Sequence, residues 1–156
     1  MQPIAIAADH GGFFLKERLR TYLENKGFKA EDLGTYSDER CDYPEFAYVL
    51  AKQIASGKYR RGVLICKTGI GNSIVANRLP GVRAALCYNV KAARLSREHN
   101  DSNILILGSI FVNAGLAQKI LHVWLNTKFA GGRHQRRLNQ IKKIEKEINY
   151  KISVAV

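Results

Sequence analysis

The chain alternates short runs of β-forming residues with longer segments whose apolar residues recur at helical spacing. Three of the short runs are nearly continuous in apolar residues, which is typical of parallel strands buried on both faces. Because parallel strands are joined by right-handed crossovers, five such units predict an α/β three-layer sandwich, a five-stranded parallel sheet with helices on both faces. The predicted strands are Ile4 to Ala8, Lys29 to Leu33, Gly62 to Cys66, Arg83 to Tyr88 and Asn103 to Gly108.

The segments between these runs have recognisable helix ends. The first helix, from Phe13, is expected to stop at Gly27, and Gly57 follows the second, which spans Pro44 to Ile54. Further helices are predicted from Gly71 to just before Pro80, over Val90 to Glu98, along an apolar stripe of Leu116, Ile120, Val123 and Trp124, and from about Gln135 to Asn149.

Length and composition indicate one globular domain. The 156 residues are 46% apolar with three prolines, and no repeat or linker divides them, so we predict one domain over 1–149 and a tail over 150–156 with no assigned role. No apolar run approaches the ~18 residues of a membrane span, and the first residues lack a secretory pattern. Three cysteines, an odd number, do not form a disulfide scaffold. We therefore expect a soluble protein of the reducing cytoplasm.

The chain is strongly basic, with 25 lysines and arginines against 13 acidic residues, a net charge of +12. Half of this excess lies between Lys128 and Val156, where eight basic residues minus two glutamates give +6. Such a segment can bind RNA, bind a phosphorylated small molecule or form a solvated helix face. Composition does not choose among these three.

Polar and reactive residues collect in the loops beside the predicted strands. Ligands of open α/β sheets bind at the carboxyl ends of the strands, and we expect Asp9-His10, Cys66 to Ser73 and Arg97 to Asp101 to share that site. Gly69 and Gly71 allow a tight turn whose N–H groups face one hollow at the start of a helix. Such a hollow suits a phosphate or a reaction oxyanion, although a purely structural turn fits the two glycines equally well.

Other candidates have both a functional and a structural interpretation. Cys66 is either a small core residue or a base whose thiolate is favoured by the adjacent helix N-terminus. Asp9 is either a site residue or the N-cap of the first helix, and His99 is either a site residue or a solvated helix end. Arg133 and Arg137 place cations at the start of the last helix, where either a bound phosphate or solvent offsets them. Neither cysteines nor histidines show metal-site spacing, so no metal is expected.

Together these motifs resemble those of the ribose-phosphate and galactose-6-phosphate isomerase family, and within it the type B ribose-5-phosphate isomerases. The resemblance runs in register from the first strand to about Ile148. It implies a Rossmann-like sheet, a homodimer or dimer of dimers, and catalysis without metal or other cofactor. The motifs that carry it are Asp9-His10-Gly11-Gly12-Phe13, Gly34-Thr35-Tyr36, Asp42-Tyr43-Pro44, Cys66-x-Thr68-Gly69-Ile70-Gly71-x-Ser73, His99-Asn100-Asp101, Gly131-Gly132-Arg133-His134 and Arg137.

The resemblance also implies an activity and residue roles. The reaction is the interconversion of D-ribose 5-phosphate and D-ribulose 5-phosphate through a cis-enediolate, in the non-oxidative pentose phosphate pathway. Since Asn72 stands where some members carry a glutamate base, the base is expected to be Cys66, while Thr68 and His99 open the sugar ring. The resemblance also implies the substrate contacts, some of them made across a dimer interface. The enediolate would be bound by the amides of Gly69, Ile70, Gly71, Asn72 and Ser73. The sugar hydroxyls would be bound by Asp9, Tyr43 and Asn100, and the phosphate by His10, Arg133 and Arg137.

Two positions depart from the family pattern. Lys67 stands where members usually carry glycine, and Ile110 stands where many carry an arginine that helps to bind phosphate. We hypothesise that Lys67 partly compensates for Ile110. Two alternatives stay open: an isomerase of a related 6-phosphohexose, such as allose 6-phosphate or galactose 6-phosphate, and an RNA-binding protein on the same fold. The second alternative lacks an aromatic-rich stacking platform.

Overall fold

The computed structural model describes residues 2–154, with side chains described over 2–148. Its strands are β1 (Ile4–Ala8), β2 (Ala30–Asp32), β3 (Arg61–Cys66), β4 (Ala84–Leu86) and β5 (Ile104–Gly108). They form one sheet in the order β2-β1-β3-β5-β4, and every neighbouring pair is parallel. The predicted five-stranded parallel sheet is therefore confirmed. β2 and β4 are shorter than predicted because each lies at an edge and has one partner strand.

The helices are α1 (Phe13–Asn25), α2 (Tyr43–Ala55), α3 (Ile70–Ala76), α4 (Val90–Asn100), α5 (Ala114–Asn126) and α6 (Arg133–Val154). Gly27 and Gly57 follow α1 and α2 with left-handed φ angles of 79° and 77°, as the glycine positions predicted. α6 begins earlier than predicted and continues through residues 150–154, since no glycine or proline stops it. Residues 155–156 of the predicted tail lie outside the described residues.

Apolar side chains form two layers, one on each face of the sheet. One layer joins the strands to α1, α4 and α5 and contains the fully buried Trp124, while the other joins them to α2 and α3. Ile4 and Ile6 of β1 belong to the first layer and Ala5 and Ala7 to the second, as the alternation of a strand requires. This packing confirms helices on both faces. Within the described residues, no helix is both long and apolar enough to cross a membrane.

The common direction of the strands decides where loop residues lie. Each of α1 to α4 carries the chain from the carboxyl edge of the sheet back to the amino edge. β3 and β5 end side by side, with Cys66 paired to Gly108. α4 ends at Asn100, near the start of β5, and there Arg83 Nε donates to the Asn100 carbonyl (3.0 Å). The C-terminal end of α4 therefore lies at the amino edge of the sheet.

Candidate active site

The loop after β3 holds a buried thiol beneath the start of α3. Gly69 has a left-handed φ of 80° and its N–H donates to Cys66 Sγ (3.1 Å), so the turn closes over the sulfur. A Cβ on Gly69 would collide with Leu86, which makes glycine necessary for space as well as for conformation. Cys66 is 4% exposed. The loop therefore presents its amides and one sulfur atom to the same small volume.

The first turn of α3 supplies the remaining groups of this loop. The N–H of Ile70 donates to Thr68 Oγ1 (3.3 Å), and the N–H of Ser73 donates to the Gly69 carbonyl (3.1 Å). Asn72 is 1% exposed, and its Oδ1 has no partner among the described residues. A buried amide oxygen without a donor is costly, so this atom is available to a hydroxyl of a bound molecule.

Tyr43, the first residue of α2, lies directly over the loop. A Cβ placed on Gly71 would come 2.7 Å from the Tyr43 hydroxyl and closer still to its ring, so Gly71 is needed for this approach. Pro44 lies in the first turn of α2, where its fixed φ suits the helix and its missing N–H costs no hydrogen bond. The phenol therefore packs against the first turn of α3, on the same loop as Cys66.

The loop after β1 forms the other wall. Asp9 is 6% exposed, and its Oδ1 accepts the N–H of Gly12 (3.0 Å), while the N-cap of α1 is Gly12. The alternative that Asp9 is the helix N-cap is thus wrong, because its carboxylate closes a separate turn in front of α1. His10 Nδ1 lies 3.0 Å from the Cys41 carbonyl and 3.3 Å from the Cys41 nitrogen, which fixes the imidazole at the rim.

Burial dominates the electrostatics of Cys66. Desolvation raises its pKa, the nearby Asp9 carboxylate raises it too, and the amides of Gly69, Asn72 and Thr68 lower it without reversing the shift. The expectation of a favoured thiolate is therefore wrong for the free protein: the helix N-terminus acts in the predicted direction, but burial outweighs it. Burial likewise raises the pKa of Asp9, opposed mainly by the Gly12 amide.

This shift predicts that Asp9→Asn stabilises the fold. Because the pKa of Asp9 lies above its ordinary value of 3.8, the carboxyl favours folding when protonated, and this contribution is lost as pH rises through the folded-state pKa. The amide oxygen that the substitution introduces would accept the same Gly12 N–H without a charge, so we expect Tm to rise by about 2 °C or more at pH 7. At pH 3 the gain should vanish. The matched control is Asp38→Asn at an exposed position; an equal gain there, or none at Asp9, contradicts the prediction.

A second cluster lies at the C-terminal end of α4 and the start of α6. The rings of His99 and His134 are stacked, with centroids 4.2 Å apart and planes 8° apart. Burial lowers the pKa of His134, and the nearby His99, Arg133 and Arg137 lower it further. The sequence motifs predict no role for His134. Its position in the Gly-Gly-Arg-His run was the sequence feature that could have pointed to it. Its stacking on His99 could not be predicted, because that contact depends on how α4 packs against α6.

The two clusters do not meet within one chain. Residues before β5 lie at the amino edge of the sheet, and Cys66 lies at the carboxyl edge, about 13 Å away along five strand residues. The expectation that Arg97 to Asp101 share the strand-end site is therefore wrong for a single chain, because a helix that precedes a strand ends at the opposite edge. The structure places at the carboxyl edge Asp9, His10, Tyr43, Cys66, Thr68, Gly69, Ile70, Gly71, Asn72 and Ser73, and away from it His99, Asn100, Arg133 and Arg137.

The two departures from the family pattern are neighbours. The N–H of Ile110 donates to the Lys67 carbonyl (3.1 Å), and Lys67 Cβ lies 3.3 Å from where a Cβ on Gly11 would be, beside His10. Both side chains are exposed. Lys67 thus lies on the exposed side of the loop after β3, next to position 110, where many family members carry the arginine. Within the described residues, no group of three or more His, Cys, Asp or Glu side chains is arranged to hold a metal ion.

A doubly wound α/β domain with an amide-lined loop at its carboxyl edge belongs to the class of α/β proteins that bind ligands at that edge, and backbone amides suit an anion. Within that class the assignment is specific. A family model described as Ribose/Galactose Isomerase matches residues 4–141, and the chain belongs to that family.

Individual relatives agree with this assignment. The chain is 44% identical to ribose-5-phosphate isomerase B of Escherichia coli K12 over 149 residues, 96% of this chain and 100% of that protein. A structure of Clostridium thermocellum ribose-5-phosphate isomerase B is 46% identical with a TM-score of 0.92, covering 94% of this chain and 99% of that one. The Mycoplasma genitalium ribose-5-phosphate isomerase B with bound ribulose-5-phosphate is 42% identical with a TM-score of 0.89, covering 93% and 97%. The resemblance drawn from the motifs is thereby confirmed.

Proposed function

We propose that this chain is an aldose–ketose isomerase that interconverts D-ribose 5-phosphate and D-ribulose 5-phosphate through a cis-enediolate. The observation that carries the proposal is the loop after β3, where the Gly69 amide donates to the Cys66 sulfur and the Tyr43 phenol lies directly against Gly71. The 42% identical relative with bound ribulose-5-phosphate supports the same substrate.

The proton transfers are assigned to Cys66. A base must remove the proton from C2 of the open-chain sugar and return it to C1, and Asn72 cannot act as one. Burial raises the pKa of the Cys66 thiol, so the thiol first gives its proton to solvent. The thiolate then takes the C2 proton, holds it as a thiol while the enediolate exists, and returns it to C1, which regenerates the thiolate. The amides of Gly69 and Asn72 favour the thiolate at that moment. Shifting the proton in this way needs no redox partner.

The loop amides are assigned to the enediolate oxygen. The first N–H groups of a helix have no intrahelical partner, and in α3 those of Ile70 and Ser73 are already engaged by Thr68 and Gly69. The Gly71 N–H, between them, is the donor best placed to receive the developing charge. Asn72 Oδ1, buried without a partner among the described residues, accepts a sugar hydroxyl.

Ring opening and phosphate binding require a second copy of the chain. His99, Asn100, Arg133 and Arg137 lie away from the Cys66 edge, so a partner subunit supplies them to Thr68, His10 and the rest of the site. Apolar side chains around the Cys66 edge are exposed and would be covered by that partner; they are Ile70, Ile74, Tyr88 and Phe111. We therefore propose a homodimer with two shared sites.

Comparing substrates tests the proposed reaction. We expect kcat/KM in EDTA to be higher for ribose 5-phosphate than for allose 6-phosphate or galactose 6-phosphate. A higher value for either hexose would assign the chain to the other substrate class of its family. No turnover of any of the three would contradict the isomerase proposal itself.

The Lys67→Gly variant tests the compensation hypothesis. Removing a charge-assisted contact to phosphate should raise KM for ribose 5-phosphate by about tenfold, with kcat nearly unchanged. Lys67→Arg should keep most of the affinity, since it retains a cation at the rim. The control is Lys58→Gly, another exposed lysine. An unchanged KM in Lys67→Gly would reject the hypothesis.

A further inference from the structure

A cluster of arginines lies at the amino edge of the sheet, beside the end of α4 that carries His99 and Asn100 and at the opposite edge from Cys66. It surrounds a cavity of about 330 Å³, where four guanidinium groups face a single carboxylate. The lining residues are Arg60, Arg61, Arg83, Arg97, Asp101 and Asn103. A concave surface with this charge excess favours anions.

Two of the four arginines share the one carboxylate. Arg83 donates to Asp101 Oδ2 (3.0 Å), and Arg97 donates to Asp101 Oδ1 (2.7 Å) and to the Ser102 carbonyl (2.6 Å). Arg97 is 7% exposed, yet its Nε has no partner among the described residues. A buried guanidinium donor left without an acceptor is costly unless a ligand supplies one.

The other two arginines have no acidic partner within the described residues. Arg61 donates to the Leu125 carbonyl (2.6 Å), and its guanidinium lies 5.6 Å from the Trp124 ring. The ion pairs of the described chain include neither Arg60 nor Arg61. Burial lowers the pKa of Arg61, and Arg97 and Arg60 lower it further against the effect of Asp101, which shows that these cations repel one another.

We propose that this cavity binds a ligand that carries two adjacent phosphoryl groups. Four guanidiniums minus one carboxylate leave three positive charges. A phosphate monoester carries about −1.5 to −2 at pH 7, which is too little to balance them, whereas a diphosphate supplies both the charge and the acceptor oxygens.

A neighbouring cavity extends the site and indicates what else the ligand carries. It has a volume of about 350 Å³, it is also lined by Arg60 and Arg61, and it is otherwise largely apolar, with Pro3, Phe28 and Leu125 in its wall. The diphosphate would lie among the arginines and a planar organic group would lie against Phe28. A nucleoside diphosphate has this chemistry.

Trp124 provides a direct readout, since it is the one tryptophan of the chain and lies beside both Arg61 and Arg97. Sodium pyrophosphate, titrated into the full-length protein, should change Trp124 fluorescence saturably, with half-saturation below about 1 mM. ADP should saturate at the same or lower concentration. Arg60→Ala, at an exposed residue outside the core, should raise both half-saturation points about tenfold, and the charge-matched control Lys58→Ala should leave them unchanged.

Several results would overturn the proposal. Sodium sulfate at matched ionic strength serves as the general anion, and a response equal to that of pyrophosphate would show that no diphosphate site exists. An equal loss in Arg60→Ala and Lys58→Ala would show only bulk electrostatics. A response to single-stranded RNA but not to pyrophosphate would identify a nucleic-acid surface instead, with binding that falls steeply as salt rises. Binding of pyrophosphate without ADP would exclude the organic subsite.

Discussion

The Cys66→Ala variant should lose isomerase activity, with kcat lower by about 10²–10⁴-fold, the usual contribution of a positioned base. The sulfur is the group that the Gly69 amide covers, and Asn72 offers no substitute base in the same loop. Alanine is small enough for this strand end, so the sheet should form normally. Turnover of ribose 5-phosphate in EDTA, with circular dichroism as the folding check, measures the effect.

Cys87→Ala is the matched control for this experiment. Cys87 is also buried, and burial raises its pKa to about 11, but it packs in the core layer with α1, α4 and α5, away from the loop after β3. We expect Cys87→Ala to keep wild-type kcat. Equal activity in the Cys66 and Cys87 variants would keep the reaction and move the base to another residue.

Mixed dimers should recover activity that neither parent variant has. If each site takes Cys66 from one chain and His99 from the other, a dimer of Cys66→Ala with His99→Asn holds one doubly altered site and one intact site. Purified through two different tags, such dimers should show about half the wild-type activity, whereas each variant alone should be nearly inactive.

A same-edge pair provides the control for subunit mixing. Cys66→Ala combined with Thr68→Ala leaves both sites damaged, because these two residues lie on the same loop of each chain. Recovered activity in this pair would mean that mixing the two chains restores activity without combining an intact Cys66 loop with an intact His99. No recovery in the Cys66 and His99 pair would place the whole site within one chain, against the geometry of α4.

The sheet and most of the loop after β3 could be predicted from the sequence. A strand that is buried on both faces needs a continuous apolar run, and the run from Ile104 to Gly108 forms such a strand in the structure. Gly69 is the turn residue that the sequence predicted, with a left-handed φ and no room for a Cβ beside Leu86, whereas Gly71 lies in the first turn of α3 and is needed for the close approach of Tyr43.

Three features could not be predicted because they depend on packing. The pKa of Cys66 is a balance between burial and a few amides, and a motif shows the amides but not the burial. The stacking of His99 on His134 requires the contact between α4 and α6. The separation of His99 from Cys66 follows from strand direction. The order of strands and helices in the sequence implies this direction, but the prediction treated all loops as if they lay at one edge of the sheet.

Isotope exchange distinguishes proton transfer through an enediolate from every route that leaves the C2 hydrogen on the sugar. Ribose 5-phosphate would be converted by the protein in D₂O with EDTA, and ribulose 5-phosphate examined by proton NMR at C1. We expect deuterium at C1 in part of the product, because the proton that leaves C2 is held on the Cys66 sulfur, where it exchanges with solvent before it is returned. Complete retention of the original hydrogen, with no deuterium at C1 of the product or at C2 of ribose 5-phosphate recovered after long incubation, would contradict proton transfer through an exchangeable base and indicate a hydride shift.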